Sequence, residues 1–257
     1  MVSFEAGDVG AVQSGAIMDG SDRFERSRRR LSYVGSACAA GYVLAASVQA
    51  IILLFFVKED ASPAQAILIR CQGADLLRAV VVLASMFLSL VTFVAIALNR
   101  LRKASGAALL GLVSAVLVVV MEVGYRSIDL FVVSLQWARA YCAASEEVLE
   151  EQLLERTIQW DGIVTALYFP LLVALVLASG CFALALSGEQ RRTARLAALG
   201  WVLYGATQFL RILGGYAGLV WLEPFNNRIY FPAASAAYGF TAVWLWGEAR
   251  SARGAAQ

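Results

Sequence analysis

Glu122, Arg126 and Asp129 stand at i, i+4 and i+7 in a stretch that otherwise reads as a membrane-spanning helix. That spacing puts all three side chains within one narrow arc of a helix surface. The run before them, Gly106 to Val120, has no ionisable residue. A charge at membrane depth is costly and normally faces a protein interior or a watery cavity, which makes it a candidate functional group. The same spacing recurs as Tyr204, Gln208 and Arg211, and again as Asp161, Thr165 and Tyr168, while Asp75 and Arg78 lie three apart. At 1.5 Å per residue, Glu122 is about 24 Å along its helix from Gly106, and Arg211 about 22 Å from Leu196. Four polar stripes therefore converge near one depth.

Two kinds of chemistry suit such a cluster. In one, the charges pair with each other and only specify how the helices pack: Asp75, Arg78, Glu122, Arg126, Asp129, Asp161 and Arg211 are nearly neutral in sum, as buried charges require. On this reading Glu122 is expected to pair with Arg211, and Arg126 with Asp129 or Asp161. In the other, the cluster is a polar pocket opening to the outer side. Arg211 and Arg126 hold an anionic group there, oriented by Tyr204, Gln208 and Tyr168. Neighbouring carboxylates would also serve to relay protons or bind a cation. The polar segment Leu222 to Arg228 reads as an outer loop positioned to cover the pocket.

Several chemistries are disfavoured by what the chain lacks. It has no histidine, which removes the commonest metal and haem ligand and the usual general base. Its four cysteines form no CxxC pair, so no metal site is expected. Lys58 and Lys103 lie in loops, so no buried amine is placed for a Schiff base. No phosphate loop or dinucleotide fingerprint occurs. The expectation is a protein without cofactors and, more in keeping with its residues, without enzymatic activity.

The elements that must position these residues follow from composition. Of 257 residues, 60% are hydrophobic and 16% charged, with a mean hydropathy of +0.69. Soluble domains are less apolar and more charged. Long apolar runs predict an all-α polytopic membrane bundle of six transmembrane helices, near Leu31–Val57, Leu76–Leu98, Gly106–Trp137, Trp160–Leu186, Leu196–Trp221 and Tyr230–Trp246. With both termini cytoplasmic, thirteen basic residues fall inside, from Arg23 to Arg30, Arg100 to Lys103, Arg191 to Arg195, and Arg250 with Arg253. Five fall outside: Lys58, Arg70, Arg139, Arg156 and Arg228. This asymmetry orients the chain in a cell inner membrane. The net charge of +2 gives no reason to expect a nucleic-acid partner.

The predicted organisation is a disordered basic cytoplasmic tail over 1–30, a six-helix membrane domain over 31–250 and a second tail over 251–257. Glu146, Glu147, Glu150, Glu151 and Glu155 interleave with Val148, Leu149, Leu153 and Leu154, a pattern suited to an amphipathic helix at the outer surface. Trp137, Tyr141, Trp160, Trp221 and Tyr230 fit an interfacial aromatic belt. Cys71 and Cys142 both fall on the outer side and are candidates for a disulfide, while Cys38 and Cys181 read as buried small hydrophobes. Gly35, Gly41, Gly106, Gly111, Gly200 and Gly205 let helices approach closely in lipid, a packing signal that also admits a homo-oligomer. A 3 + 3 inverted repeat, as transporters use, would need polar positions to superpose on inversion, and those of Arg78 and Arg211 do not.

The six-span plan with short inner loops, a third span carrying Glu122 and Arg126, and the approach to the fifth span, Arg192-Thr193-Ala194-Arg195-Leu196-Ala197-Ala198-Leu199-Gly200, resemble the bacterial membrane family called domain of unknown function 4386. The likeness spans about Leu31 to Arg250. It departs at the end of the second span, where Ala97-Leu98-Asn99-Arg100 stands in place of Tyr-Pro. The resemblance implies the fold and no settled activity. The functional expectation is a binding or accessory membrane protein whose pocket among spans 2–5 takes a small polar, anionic or lipid ligand. It would work with a membrane partner or a second copy, and the alternative is a small-solute or ion transporter.

Overall fold

Lipid offers no hydrogen bonds, so a chain crossing it must satisfy its backbone within its own helices. A computed structural model describes the backbone of residues 9–56 and 62–254 and the side chains of residues 24–56 and 62–251. All regular structure among them is helical: α1 (Val9–Phe56), α2 (Pro63–Arg70), α3 (Gly73–Arg100), α4 (Ser105–Ile128), α5 (Arg139–Ala143), α6 (Glu147–Ser187), α7 (Arg192–Gly215) and α8 (Glu223–Gly254). A π-helical stretch, Asp129–Ala138, joins α4 to α5, so the third long rod runs from Ser105 to Ala143. Five rods, Phe24–Phe56, Gly73–Arg100, Ser105–Ala143, Glu147–Ser187 and Arg192–Gly215, are long and apolar enough to cross a membrane. The helix α8 is long but falls short in apolarity, because Tyr230, Pro232, Ser235, Tyr238 and Thr241 interrupt its apolar run.

The six long rods form a closed ring in chain order. Helix α1 packs on α3, α3 on α4, α4 on α6, α6 on α7, α7 on α8, and α8 returns to α1. Leucine and valine point outward: Leu54, Leu44, Leu184 and Val120 are each more than 60% exposed. So much exposed aliphatic surface on several helices matches a lipid surrounding rather than water. Aromatic residues fill the middle instead. Phe93, Phe182, Trp201, Tyr238 and Trp244 are fully buried. Tyr42 stacks on Tyr238 with ring centroids 3.7 Å apart, Tyr238 donates to Ser89 Oγ at 3.0 Å, and Trp201 Nε1 donates to Thr241 Oγ1 at 3.0 Å.

Small residues allow the close approaches that close the ring. A Cβ on Gly200 would lie 2.8 Å from the Ala237 Cα of α8, one on Gly35 would collide with the Ala95 side chain, and one on Gly205 would come within 3.0 Å of Ser179. Gly106, by contrast, faces open space and serves no contact.

Several expectations need correction. The tail is helical from Val9 onward, with residues 1–8 outside the described residues. Its basic end is tied down: Glu25 bonds Arg28 at 2.8 Å and Arg102 at 3.1 Å, and Phe24 lies beneath the Arg102 guanidinium. The acidic segment before the fourth span does not form a separate surface helix. Helix α6 runs straight through from Glu147 to Ser187, past Gly162 and Pro170, burying Leu153, Thr157 and Trp160. Arg100, assigned to the basic inner loop, is 3% exposed; its Nε donates to Ala185 O at 2.8 Å and it pairs with Glu189. Arg191 bonds Glu248 at 2.5 Å beside them, and burial together with the Glu189 carboxylate pushes the Glu248 carboxyl above its ordinary range.

The segment expected as a loop before the second span contains α2. Its start is a capping box: Ser62 Oγ accepts from Gln65 N, the Gln65 side chain accepts from Ser62 N, and Pro63 occupies the first turn. Cys71 beyond its end is bonded to Cys142, closing a loop of 71 positions and fixing α2 to the end of the third rod.

Gly200→Leu should lower stability by roughly 1–3 kcal/mol relative to Gly180→Leu. Gly180 has nothing within 4 Å of a built Cβ. Unfolding of both variants in mixed micelles reads the difference, and equal losses would show that α7 and α8 do not depend on this contact.

Candidate functional site

The polar residues sort by the reach of their side chains. On α4, Arg126 bends back one turn and its Nε donates to Glu122 Oε1 at 3.2 Å, while the Tyr125 hydroxyl donates to the same oxygen at 2.7 Å. The Arg126 guanidinium lies over the Tyr125 ring, 4.8 Å from its centroid. On α3, Arg78 bonds Asp75 three residues before it at 2.7 Å. Asp129 and Asp161 share one cation, Arg70 at the end of α2, at 2.6 Å and 2.9 Å. Trp160 Nε1 also donates to Asp129, at 3.4 Å.

The expected Glu122–Arg211 and Arg126–Asp129 or Arg126–Asp161 pairs are therefore not formed. Helix α6 stands between α4 and α7 in the ring, and Tyr168 fills the gap. Its ring meets Tyr125 edge-on at 5.8 Å on one side and lies beneath the Arg211 guanidinium at 5.6 Å on the other. Asp129, at the start of the π-helical stretch, is taken up by Arg70 of α2 instead.

Two cavities border these residues, apart from a wider groove of about 900 Å³ between α1 and α8 near Ala50 and Phe231. The smaller, about 40 Å³, lies at the centre of the ring, and all six rods contribute to its wall. Glu122 is the only carboxylate there, with Tyr168, Tyr204, Gln208, Tyr42 and Tyr238 around it. This space admits a few water molecules and no larger solute. Gln208 is 1% exposed and bonds Thr207 Oγ1 at 3.2 Å.

The larger cavity, about 350 Å³, opens to the surface among α6, α7 and the first turns of α8. Its polar lining includes Tyr168, Arg211, Tyr216, Glu223 and Asn226, against Val164 and Leu172. Arg211 is held between two rings, Tyr168 and Tyr230, the latter at 5.3 Å. Among the described residues its guanidinium makes no ion pair and no hydrogen bond. Cation–π contact fixes such a group without using its five N–H donors. The Tyr216 hydroxyl donates to Thr165 O at 2.5 Å; burial pushes its pKa up, opposed by the Arg211 cation.

Of the residues singled out in the sequence, Glu122, Tyr168, Tyr204 and Gln208 meet at the central cavity. Tyr168 also joins Arg211 at the open one. Asp75, Arg78, Arg126, Asp129 and Asp161 line neither and are engaged in ion pairs. Trp160 and Tyr230, expected in an interfacial belt, turn inward, whereas Trp221 is 73% exposed. Sequence reasoning missed Arg70, Glu223 and Asn226. The Ser62 to Gln65 capping box was the available signal for the first, since it announces a helix that carries Arg70. Glu223 and Asn226 were assigned to a covering loop, but they form the first turn of α8 and the wall itself. No family model matches the chain, and no curated protein or solved structure does.

Double-mutant cycles should separate the two arrangements. Arg70→Leu with Asp129→Leu should show a coupling of about 1–2 kcal/mol, whereas Glu122→Leu with Arg211→Leu should be near additive. Strong coupling in the second cycle would restore the direct pair.

Proposed function

We propose that this chain is an integral membrane binding or accessory protein that spans the bilayer six times. Both termini lie inside, and the open cavity at Arg211 faces the outer side of an inner membrane. The reading rests on one observation above all: a half-buried guanidinium, fixed by Tyr168 and Tyr230 and without an ion-pair partner among the described residues, faces a cavity of about 350 Å³. That volume falls in the range of small-molecule sites. An arginine held at such a site recognises a carboxylate or phosphate through paired N–H bonds. The positive-inside asymmetry supports the orientation. The position of α8 in the ring, between α7 and α1, supports its counting as a sixth span. An accessory role adds a membrane partner or a second copy docked on the outer leucine and valine surface.

A transporter is the second reading, favoured by the central cavity that all six rods enclose and by the Glu122 carboxylate within it. Substrate-dependent flux in proteoliposomes that disappears in Glu122→Gln would favour transport. Co-purification with a fixed partner and no flux would favour the accessory role.

Small carboxylates or phosphates at 100-fold excess over Kd should stabilise the purified protein by about 2.7 kcal/mol. Arg211→Gln should abolish this shift and Arg211→Lys should keep part of it. A shift of equal size in Arg211→Gln would move the anion site elsewhere.

A further inference from the structure

The open cavity holds a second charge that no described residue satisfies. Glu223 lines the same space as Arg211, yet the two form no ion pair, so their charged atoms stand more than 4 Å apart. Among the described residues the Glu223 carboxylate makes no hydrogen bond either. Its stem lies over Gly214 of α7: a Cβ on Gly214 would come within 3.1 Å of Glu223 Cγ. Asn226, one turn further along α8, is 2% exposed, and its Oδ1 is buried without a partner. A buried amide oxygen left unbonded costs on the order of 1–3 kcal/mol. One wall thus presents five unfilled donors on Arg211. Another presents the Glu223 carboxylate on the first turn of α8, with the Asn226 amide oxygen buried behind the cavity surface. Val164 and Leu172 add apolar surface to the lining.

An anion alone would satisfy Arg211 and leave Glu223 repelling it. A cation alone would leave Arg211 unfilled. We propose that the cavity binds a small zwitterion. Its anionic group sits on Arg211, its ammonium donates to Glu223, and its uncharged remainder lies against Val164 and Leu172. This assignment rests on the anion-binding reading above and adds the second charge to it. Two sources carry an anionic group and an ammonium a few bonds apart: free α-amino acids with uncharged side chains, and the ethanolamine phosphate headgroup of a phospholipid.

Calorimetric titration of the full chain in nanodiscs, free of ethanolamine lipids, tests the assignment with matched pairs. Alanine and leucine are set against propionate and 4-methylpentanoate, and glycerophosphoethanolamine against glycerophosphoglycerol. A zwitterion should bind roughly 10-fold or more tightly than its partner lacking the amine, the worth of one charge-assisted hydrogen bond. Preference for the amino acids or for glycerophosphoethanolamine identifies the source. Glu223→Gln should erase that preference while raising the affinity for the amine-free partner, which also shows that the variant is folded. Arg211→Gln should lose both ligands. Equal binding of zwitterion and amine-free partner, unchanged in Glu223→Gln and abolished in Arg211→Gln, would overturn the zwitterion and leave the anion site standing. No binding of any probe to the wild type would overturn both.

Discussion

A charge inside a helix bundle must find its counter-charge within the length of its own side chain, because little water reaches it and the cost of leaving it unpaired is several kcal/mol. That reach sorts the polar residues of this protein. Arg126 finds Glu122 one turn back, Arg78 finds Asp75, Arg100 finds Glu189, and Arg70 spans from α2 to two aspartates at once. Each pairing is local in space, and most join residues on one helix or on neighbouring rods. Arg211 is the exception. Its nearest partners are rings rather than carboxylates, which stabilise the cation while leaving its hydrogen-bonding capacity free.

The ring makes this exception workable. In lipid the hydrophobic effect does not draw helices together, so contact quality decides which rods become neighbours. Gly200 against Ala237 and Gly35 against Ala95 bring backbones close enough for α7 to lock onto α8 and α1 onto α3. Closing six rods in chain order leaves an axis too wide for aliphatic side chains alone. Tyr42, Phe93, Trp201, Tyr204 and Tyr238 fill it with rings whose hydroxyl or indole groups need partners. Ser89 and Thr241 supply two of those partners. The packing demand and the polar character of the centre thus have one origin.

Much of this was legible in the sequence. Helical class, the apolar rods and the small-residue contacts follow from periodicity and composition, because those signals are local and repeat many times. The convergence of Glu122, Tyr168, Tyr204 and Gln208 was also legible, since helical spacing and depth are both additive along a rod. The partners were not. Choosing Arg211 for Glu122 required knowing which rod lies between α4 and α7, and ring order is a property of contacts far apart in the chain. Arg70 was read as a loop cation because α2 is only eight residues long, and a short helix leaves little periodicity to detect. The π-helical stretch after Ile128 has no marker in Asp129-Leu130-Phe131-Val132 and could not be foreseen.

The low apolarity of α8 takes on meaning in this setting. A helix that turns much of its surface toward the ring interior and a cavity has less to offer lipid, so it tolerates more polar residues than a rod with a wide outer face. The residues that reduce its hydropathy are those with work inside the ring. Glu223 and Asn226 line the open cavity, Tyr230 supports Arg211, and Tyr238 and Thr241 bond Ser89 and Trp201. Hydropathy alone would set α8 apart from the other rods, yet the same residues bind it to them. The helix least suited to lipid by composition is the one on which the geometry of the candidate site most depends.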